Sequence, residues 1–359
     1  MIDHGISVGS APHIFEVRTS SHSMWILSAC LCAPIIQSSF TDGFSSLLLA
    51  MVAVTTALAM ESVLELVRGS PKFPQNLALT DGSVIVSALV LVLLLPNSIH
   101  PLVVVFGVIF AVLIVKHSFG GLGSNWLNPA AGAWLFLRFT WSPLFAGALA
   151  RSPLTLLGAS VSKGVIDPSG SPMAVLKIAG WKPSPVDEKV TMWFNNTFLA
   201  FWGAELPTGY IDLLTSPSSG LIVDRGLLAF VLATVVLIAS NLVRWYLPLL
   251  FAAFYVAAAR IWGGLPFGGA LFSGDMLYAL LSGSVTLAAY VLIADPGTGC
   301  KTRGIGALSA ALAGIIAFWF RYLGSDPYGA VLAIPVINLL VSLLRILERR
   351  FYFMPRVRQ

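Results

Sequence analysis

Long apolar stretches separated by short polar connections make up most of the chain. A helix that crosses a bilayer core needs about 20 mostly apolar residues. Stretches of this kind lie near residues 24–41, 44–67, 82–96, 101–116, 129–148, 227–243, 246–262, 275–294, 305–321 and 327–345. The pattern predicts an all-α polytopic membrane protein with about ten transmembrane helices. The third stretch is short, which predicts a span that is either tilted, or broken and buried among its neighbours.

The composition excludes an ordinary soluble domain. The chain is 57% hydrophobic and 10% charged, whereas soluble domains are about 25% charged. Its net charge of +5 comes from basic residues between the apolar stretches and not from one basic stripe. Membrane lipid is therefore an expected partner and nucleic acid is not. Cys30, Cys32 and Cys300 fit neither a disulfide framework nor a metal site, and no residues are predicted to be catalytic by themselves.

The distribution of Lys and Arg predicts the orientation in the membrane. If the N-terminus lies inside, the inner loops carry Arg68, Lys72, Lys116, Arg244, Lys301 and Arg303. The short outer loop at 97–100 has no Lys or Arg. The positive-inside rule then places both termini in the cytoplasm and requires an even number of spans.

Two apolar segments resemble each other at an offset of 201 residues. Laying Ser83 on Ser284 also pairs Gly82 with Gly283, together with two further identities. The alternative is chance similarity between segments rich in Val, Leu and Ala. If the repeat is real, each half has five spans and the two halves have opposite orientations, as in many transporters with a site near the midplane.

This repeat divides the chain into five parts. They are a cytoplasmic N-terminal segment (1–23), a first five-helix repeat (24–148), a long extracytoplasmic loop (149–226), a second five-helix repeat (227–345) and a basic cytoplasmic tail (346–359). The loop can cross the membrane despite its lysines, because long loops largely escape the charge rule.

Several ionisable residues fall where apolar ones are expected. Charges in a membrane are expensive, so each needs a partner or a function. Glu61 and Glu65 share one helical face, and they either snorkel beside Arg68 or form a carboxylate pair on an ion pathway. Asp81 and Asp295 lie near the two repeat ends. Asp295 with Thr298, in "LIADPGTGCKTRG", either lines an ion route or only caps and turns the chain.

The segment "KHSFGGLGSNWLNPAAGAW", residues 116–134, is the most informative polar stretch. Its glycines permit a close re-entrant turn, and Pro129 suits the start of a helix. Asn125 and Asn128 supply amide groups there. These two residues are therefore candidates, with Asp81, Asp295 and Thr298, for an ion pathway or the vicinity of a flavin.

This stretch resembles the RnfD/NqrB family of membrane flavoproteins, and the chain is most similar to its Rnf branch. Likeness also extends over "SAPHIFEVRTSSHSMWIL", "LTDGSVIVSALVLVLLLP" and "LLSGSVTLAAYVLIADPGTGCKTRG". The resemblance implies ten helices in two inverted halves, related in shape to urea transporters. It also implies a membrane subunit of an ion-translocating oxidoreductase in the bacterial inner membrane. Such a complex passes electrons between ferredoxin and NAD and moves Na⁺ or H⁺. The implied partners are Rnf subunits A, B, C, E and G.

The implied cofactor is FMN, attached covalently through a Thr phosphoester, with riboflavin as a second flavin candidate. The family's usual acceptor motif, similar to Asp-x-x-Ser-x-Ala-Thr, is absent. The nearest segment is "PVDEKVTMWFNNTFLAF", which makes Thr191 the first candidate acceptor and Thr197 the second. Two other functions stay open: a subunit of the sodium-pumping NADH:quinone reductase, and a urea-transporter-like channel without redox activity. A structural scaffold is a third.

Overall fold

A computed structural model describes residues 20–67, 81–118, 125–149, 172–173, 177, 182–215, 221–267, 269–299, 302–324 and 328–348. Over these ranges the protein is helical and contains no β-strand. The candidate residues and motifs at 10–19, 68–80, 119–124, 300–301 and 349–359, among them Arg68 and Lys301, lie outside the described residues.

The helices are numbered in chain order. They are α1 Ser20–Asp42, α2 Ser45–Val67, α3 Ser83–Leu93, α4 Pro101–Ile109, α5 Pro129–Thr140, α6 Ser142–Leu149, α7 Pro185–Phe194, α8 Tyr210–Thr215, α9 Ile222–Arg225, α10 Leu227–Ala239, α11 Tyr246–Trp262, α12 Met276–Leu281, α13 Val285–Leu287, α14 Arg303–Phe318 and α15 Gly329–Glu348. Wider π-helical turns continue α4 through Phe110–His117, α7 through Asn195–Leu199, α13 through Ala288–Leu292 and α14 through Trp319–Leu323.

Helices occupy all the predicted apolar stretches, but two of these stretches are not single helices. Residues 129–148 form α5 and α6, on either side of Trp141. Residues 275–294 form α12 and α13, separated by a break at 282–284. Gly283 and Ser284 have φ angles of 72° and 59° there. That left-handed conformation suits glycine and cannot continue a right-handed helix. The expectation of one continuous span in this stretch was therefore wrong.

Within the described ranges, three helices are long and apolar enough to cross a membrane: Ser20–Phe40, Ser45–Val67 and Arg303–Leu323. Shorter apolar helices fill Ser83–Leu93, Pro101–His117, Leu227–Ala239, Tyr246–Trp262 and Gly329–Leu344. Short and broken helices at membrane depth are tolerated where neighbouring helices bury them. In α3, for instance, every residue from Ala88 to Leu93 is buried. The fold is that of an α-helical membrane protein.

The most extensive contact between two helices joins α11 to α14. It depends on Gly314, because a Cβ added there would lie 2.5 Å from the carbonyl oxygen of Phe251 and 3.0 Å from the backbone nitrogen of Tyr255. Small residues let helix backbones approach closely in membranes.

We expect Gly314→Ala to destabilise the protein by about 1–3 kcal/mol, since the backbone of α11 must move to admit the methyl group. The matched control is Gly304→Ala in the same helix, where an added Cβ meets nothing within 4 Å. That variant should be neutral or slightly stabilising, because alanine is the better helix former. Thermal unfolding of both variants in detergent measures the difference. Equal unfolding temperatures would contradict the close packing of α11 and α14.

Candidate functional site

A pocket opens where the beginnings of α1, α3 and α5 meet the end of the segment that continues α13. Its cavity volume is about 110 Å³. Its polar lining comes from Ser23, Ser83, Ser87, Lys116, Asn125, Asn128 and Asp295. Its lining, which combines polar and apolar side chains, suits an organic ligand that has groups of both kinds.

One wall of the pocket is organised by Asp295. Asn128 Nδ2 donates to Asp295 Oδ2 at 3.0 Å, and Thr298 Oγ1 donates to the same oxygen at 3.2 Å. The backbone N–H of Gly297 donates to Asp295 Oδ1 at 3.1 Å. The carboxylate therefore orders the turn that follows α13 and ties it to α5, which comes from a different part of the sequence.

Asn128 is fixed from its other side by the start of α5. Its Oδ1 accepts hydrogen bonds from the backbone N–H groups of Ala130 at 3.1 Å and Ala131 at 3.2 Å. An N-cap side chain satisfies helix N–H groups that have no partner within the helix. Capping thus orients the amide so that its NH₂ group points to Asp295. The Gly/Asn stretch has Asn128 in this position because Pro129 begins the helix.

The part of the lining formed by Ser83 and Lys116 includes a buried ion pair. Lys116 Nζ lies 3.5 Å from Glu61 Oε1 and donates to Ser83 Oγ at 3.0 Å. His117 Nε2 lies 2.7 Å from Glu61 Oε2, and Ser83 Oγ donates to Asp81 Oδ2 at 3.1 Å. Glu61 and Lys116 are each 3% exposed. Glu61 is therefore neither snorkelling nor part of a carboxylate pair that lines this pocket; it holds Lys116.

Apolar side chains complete the pocket. They are Met24, Leu27, Val86, Val90, Leu242, Val243, Tyr290 and Val291, with Ala130 and Ala294. Tyr290 adds an aromatic side chain to the lining, and aromatic side chains can stack on flat aromatic ligands. Apolar faces with a few placed polar groups are typical of sites for planar organic molecules.

The structure brings together the five residues proposed from sequence for an ion pathway or flavin vicinity. Asn125, Asn128 and Asp295 line the pocket. Thr298 contacts it through Asp295, and Asp81 through Ser83. The three segments involved, near residues 81–83, 125–128 and 295–298, are far apart in the sequence. Their convergence is a property of the fold; their roles stay predictions.

The two candidate flavin acceptors lie elsewhere, on α7 and its extension. Thr191 is 1% exposed and its Oγ1 donates to Asp187 Oδ1 at 3.3 Å. Asp187 also accepts from the backbone N–H groups of Gly209 at 2.6 Å and Asp212 at 2.8 Å. Thr191 thus orients a carboxylate that ties α7 to the start of α8. Thr197, by contrast, is exposed on the extension.

Arg321, which the sequence pattern did not single out, is 2% exposed. Its guanidinium donates to Tyr255 OH, to the carbonyl oxygens of Ala279 and Ser282, and to Ser282 Oγ. The rings of Tyr255, Tyr278 and Tyr322 lie within about 6 Å of it. Arg321 therefore supplies hydrogen-bond donors to the carbonyl groups at the C-terminal end of α12, at the break before α13. Two features of the sequence could have indicated this contact. They are an arginine at the end of one apolar stretch and a Gly-Ser pair inside another.

Asp224 was also missed from sequence. Its Oδ1 accepts from the backbone N–H of Ser284 at 2.8 Å and from Ser284 Oγ at 3.2 Å. Asp224 is 7% exposed and lies on α9, just before the second set of apolar helices. Asp224 accepts a hydrogen bond from a backbone N–H group at the beginning of α13, and Arg321 donates to backbone carbonyl groups at the end of α12. Two residues distant in sequence thus stabilise the break.

A protein-family model for the NQR2, RnfD, RnfE family matches residues 7–353. The chain belongs to this family. It is 27% identical over 350 residues to the D subunit of the ion-translocating oxidoreductase complex of Vibrio cholerae serotype O1 (strain M66-2), covering 94% of this chain and 96% of that protein. The corresponding protein of Shewanella amazonensis is 27% identical over 369 residues, covering 97% of both chains. This membership confirms the resemblance stated from the sequence.

A further family relative has a more specific name. The D subunit of the proton-translocating ferredoxin:NAD(+) oxidoreductase complex of Clostridium ljungdahlii is 25% identical over 340 residues, covering 94% of this chain and 93% of that protein. The matches extend nearly from end to end, so they include all the helices that form the pocket. Together with the apolar helices, they identify a membrane protein.

Proposed function

We propose that this chain is a membrane subunit of an Rnf-type ion-translocating oxidoreductase. It carries electrons through bound flavin between ferredoxin and NAD and helps to couple the transfer to movement of Na⁺ or H⁺. Its family and the names of its relatives support this function. The observation that carries the proposal is the polar and apolar pocket built around Asn128 and Asp295. The chain acts within a complex and has no catalytic activity alone.

We further propose ten transmembrane helices in two inverted halves, 24–148 and 227–345. Helices α2 and α11 begin 201 residues apart, at Ser45 and Tyr246. Gly82 and Gly283 have the same separation and left-handed φ angles of 70° and 72°. The first helices of the two halves, α1 and α10, pack against each other, as do the fifth, α5 and α15. These regularities favour a real repeat over chance similarity.

The side chains that line the pocket support a flavin as its ligand. An isoalloxazine ring is flat and largely apolar, with N–H and C=O groups along one edge. Asp295 offers an acceptor to such an edge, and Asn125 and Asn128 offer amides. Tyr290 and the aliphatic side chains offer surfaces for the ring faces. A bound flavin supplies an electron relay that accepts and releases electrons one or two at a time. The site suits riboflavin or FMN held without a covalent bond.

The helix break at residues 282–284 is not part of the cation route that we propose. In transporters, carbonyl groups at the end of a half-helix often coordinate the cation. In this chain the Arg321 guanidinium occupies the Ala279 and Ser282 carbonyl groups and adds a positive charge. We therefore assign the cation route to the part of the pocket with Asp295, Asn125 and Thr298, and include Asp81, which accepts a hydrogen bond from the lining residue Ser83.

A covalent FMN is the second part of the proposal. The hydroxyl of Thr191 is buried, which disfavours it as the attachment site for FMN. The exposed Thr197 is therefore the better candidate for attachment in the folded protein. Intact-mass spectrometry of the chain, expressed with its own flavin transferase, should show an addition of FMN size. Thr197→Ala should abolish it and Thr191→Ala should not. An unmodified mass in the wild type would remove covalent flavin from the proposal.

The complex supplies the partners. We propose that subunits A, B, C, E and G surround this chain in the bacterial inner membrane, with both termini cytoplasmic. The G subunit would dock on the extracytoplasmic loop. The family also includes the quinone reductase branch, so a quinone-dependent activity of the purified complex is the outcome that would favour that second function. Absence of flavin absorbance would instead favour a channel.

A further inference from the structure

Helix α7 turns a polar face toward the rest of the protein. Asp187, Thr191 and Asn195 follow one another at spacings of four residues, which places them on one side of the helix. Asp187 and Thr191 are buried and form the contacts to the start of α8. Asn195 Nδ2 donates to the carbonyl oxygen of Leu206 at 3.0 Å, and Asn195 Oδ1 accepts from the Leu206 N–H group at 2.9 Å. Hydrogen bonds, and not apolar packing, therefore attach this face.

The opposite face of α7 is apolar and exposed. Val186, Val190 and Trp193 recur on it at spacings of four and three residues. The extension of α7 and a final 3₁₀ turn, Ala200–Trp202, add Phe201 and Trp202, which are 87% and 78% exposed. We call these five side chains the α7 surface. A helix on a soluble domain has the reverse arrangement, with its apolar stripe toward the core and its polar face in water. Grouped exposed apolar side chains mark an interaction surface.

Helix α7 is attached close to the ends of apolar helices. Tyr210 on α8 donates to Asp275, and Asp275 Oδ1 caps α12 by accepting from the Tyr278 N–H group at 2.9 Å. Helix α8 also packs against α10, an apolar helix on which Leu232 and Val235 are exposed. Exposed apolar side chains on such a helix of a membrane protein contact lipid. A bilayer therefore surrounds the helices on which α7 is held.

We infer that the α7 surface lies in the interfacial region of the lipid bilayer, with α7 parallel to the membrane plane. Amphipathic helices bind there by inserting an apolar face among the headgroups and upper acyl chains. Tryptophan favours this region because its indole ring is apolar and carries one N–H donor. Trp193 and Trp202 thus suit a lipid partner, and the surface needs neither a flavin nor another subunit.

The exposed charges of α7 fit the same orientation. Lys189 is exposed and lies four residues before Trp193, so it borders the α7 surface. Its alkyl stem can follow the apolar side chains while its ammonium group reaches a lipid phosphate. Glu188, also exposed, points away from the α7 surface, since successive residues of a helix are about 100° apart. The anionic side chain is therefore left in water.

The test measures the depth of α7 in the full-length chain, reconstituted in nanodiscs of phosphatidylcholine and phosphatidylglycerol. The three native cysteines are replaced by alanine, and one nitroxide label at a time is attached to Val190→Cys, Phe201→Cys or Glu188→Cys. Oxygen concentrates in the bilayer, whereas a neutral nickel chelate stays in water. The ratio of oxygen to nickel collision rates at Val190→Cys and Phe201→Cys should be several-fold higher than at Glu188→Cys, the matched control on the same helix.

A second measurement needs no cysteine. Lipids brominated near the top of their acyl chains quench tryptophans at that depth. Replacing Trp193 and Trp202 together by phenylalanine should lower the quenched part of the protein's fluorescence, because both indole rings lie in the interface. An unchanged quenched part would contradict the inference even if the labelled variants failed to fold.

The remaining outcomes separate lipid from a protein partner. Equal, water-like collision ratios at all three labelled positions in the nanodisc overturn the inference. If Val190→Cys and Phe201→Cys are water-exposed in the isolated chain and shielded from both reagents only in the native complex, another subunit covers the α7 surface. That result overturns lipid as the partner. None of these outcomes depends on bound flavin, so the proposed function is tested separately.

Discussion

Asp295→Ala should lose non-covalent flavin. The carboxylate accepts from Asn128, Gly297 and Thr298, so its removal deletes both an acceptor for the ligand and the group that aims the Asn128 amide. Hydrogen bonds to charged groups are worth about 1.5–3 kcal/mol, and about 1.4 kcal/mol is a tenfold change in affinity. We therefore expect riboflavin affinity to fall at least about tenfold, measured by fluorescence quenching during titration.

Two further variants distinguish loss of the site from loss of the fold. Asp295→Asn retains an oxygen that can accept from Asn128, so its affinity should lie between those of the wild type and Asp295→Ala. Thr298→Val removes only a donor onto the carboxylate and should cost less than either. If Asp295→Ala binds riboflavin as tightly as the wild type, Asp295 does not belong to a flavin site.

Arg321→Met should lower the stability of the protein more than any of the other substitutions. The guanidinium donates to two carbonyl groups, a tyrosine hydroxyl and a serine hydroxyl, all around the break between α12 and α13. Removing it leaves buried acceptors without donors, at about 1–3 kcal/mol each. We expect a loss of at least about 3 kcal/mol, visible in thermal unfolding followed by tryptophan fluorescence in detergent.

Arg260→Met is the matched control. Arg260 is exposed on α11 and donates to the Gly274 carbonyl group at 3.0 Å, so its loss should be small. Arg321→Lys keeps the charge, but an ammonium group lacks the planar set of donors of a guanidinium and cannot bond all of these acceptors. This variant should therefore recover only part of the stability. Comparable losses in Arg321→Met and Arg260→Met would refute the role assigned to the buried guanidinium.

The helices were predictable because the periodicity and length of apolar stretches depend on local sequence. Asn128 and Asp295 could also be proposed, one from the Gly/Asn stretch and one as a carboxylate at the end of an apolar segment. Their contact at 3.0 Å was not predictable from spacing. It depends on how α5 packs against the segment after α13, which is a property of the whole fold.

The features that were missed share a physical cause. The break at Gly283 requires left-handed backbone, which an apolar composition does not reveal. The partners of Glu61 lie 55 and 56 residues away on another helix, so the sequence could only say that a buried carboxylate needs some partner. Arg321 was taken as the end of a span, although its own hydrogen bonds complete the α12 end.

A flavin in the pocket between Asn128, Asp295, Lys116 and Tyr290 is the feature on which the proposed electron transfer depends. A cryo-electron microscopy map of the purified native complex, resolved well enough to show side chains, would reveal its presence or absence. We expect planar three-ring density in this pocket, with one polar edge beside Asp295. Well-ordered density for the four side chains, with only water or a lipid chain between them, would contradict the assignment.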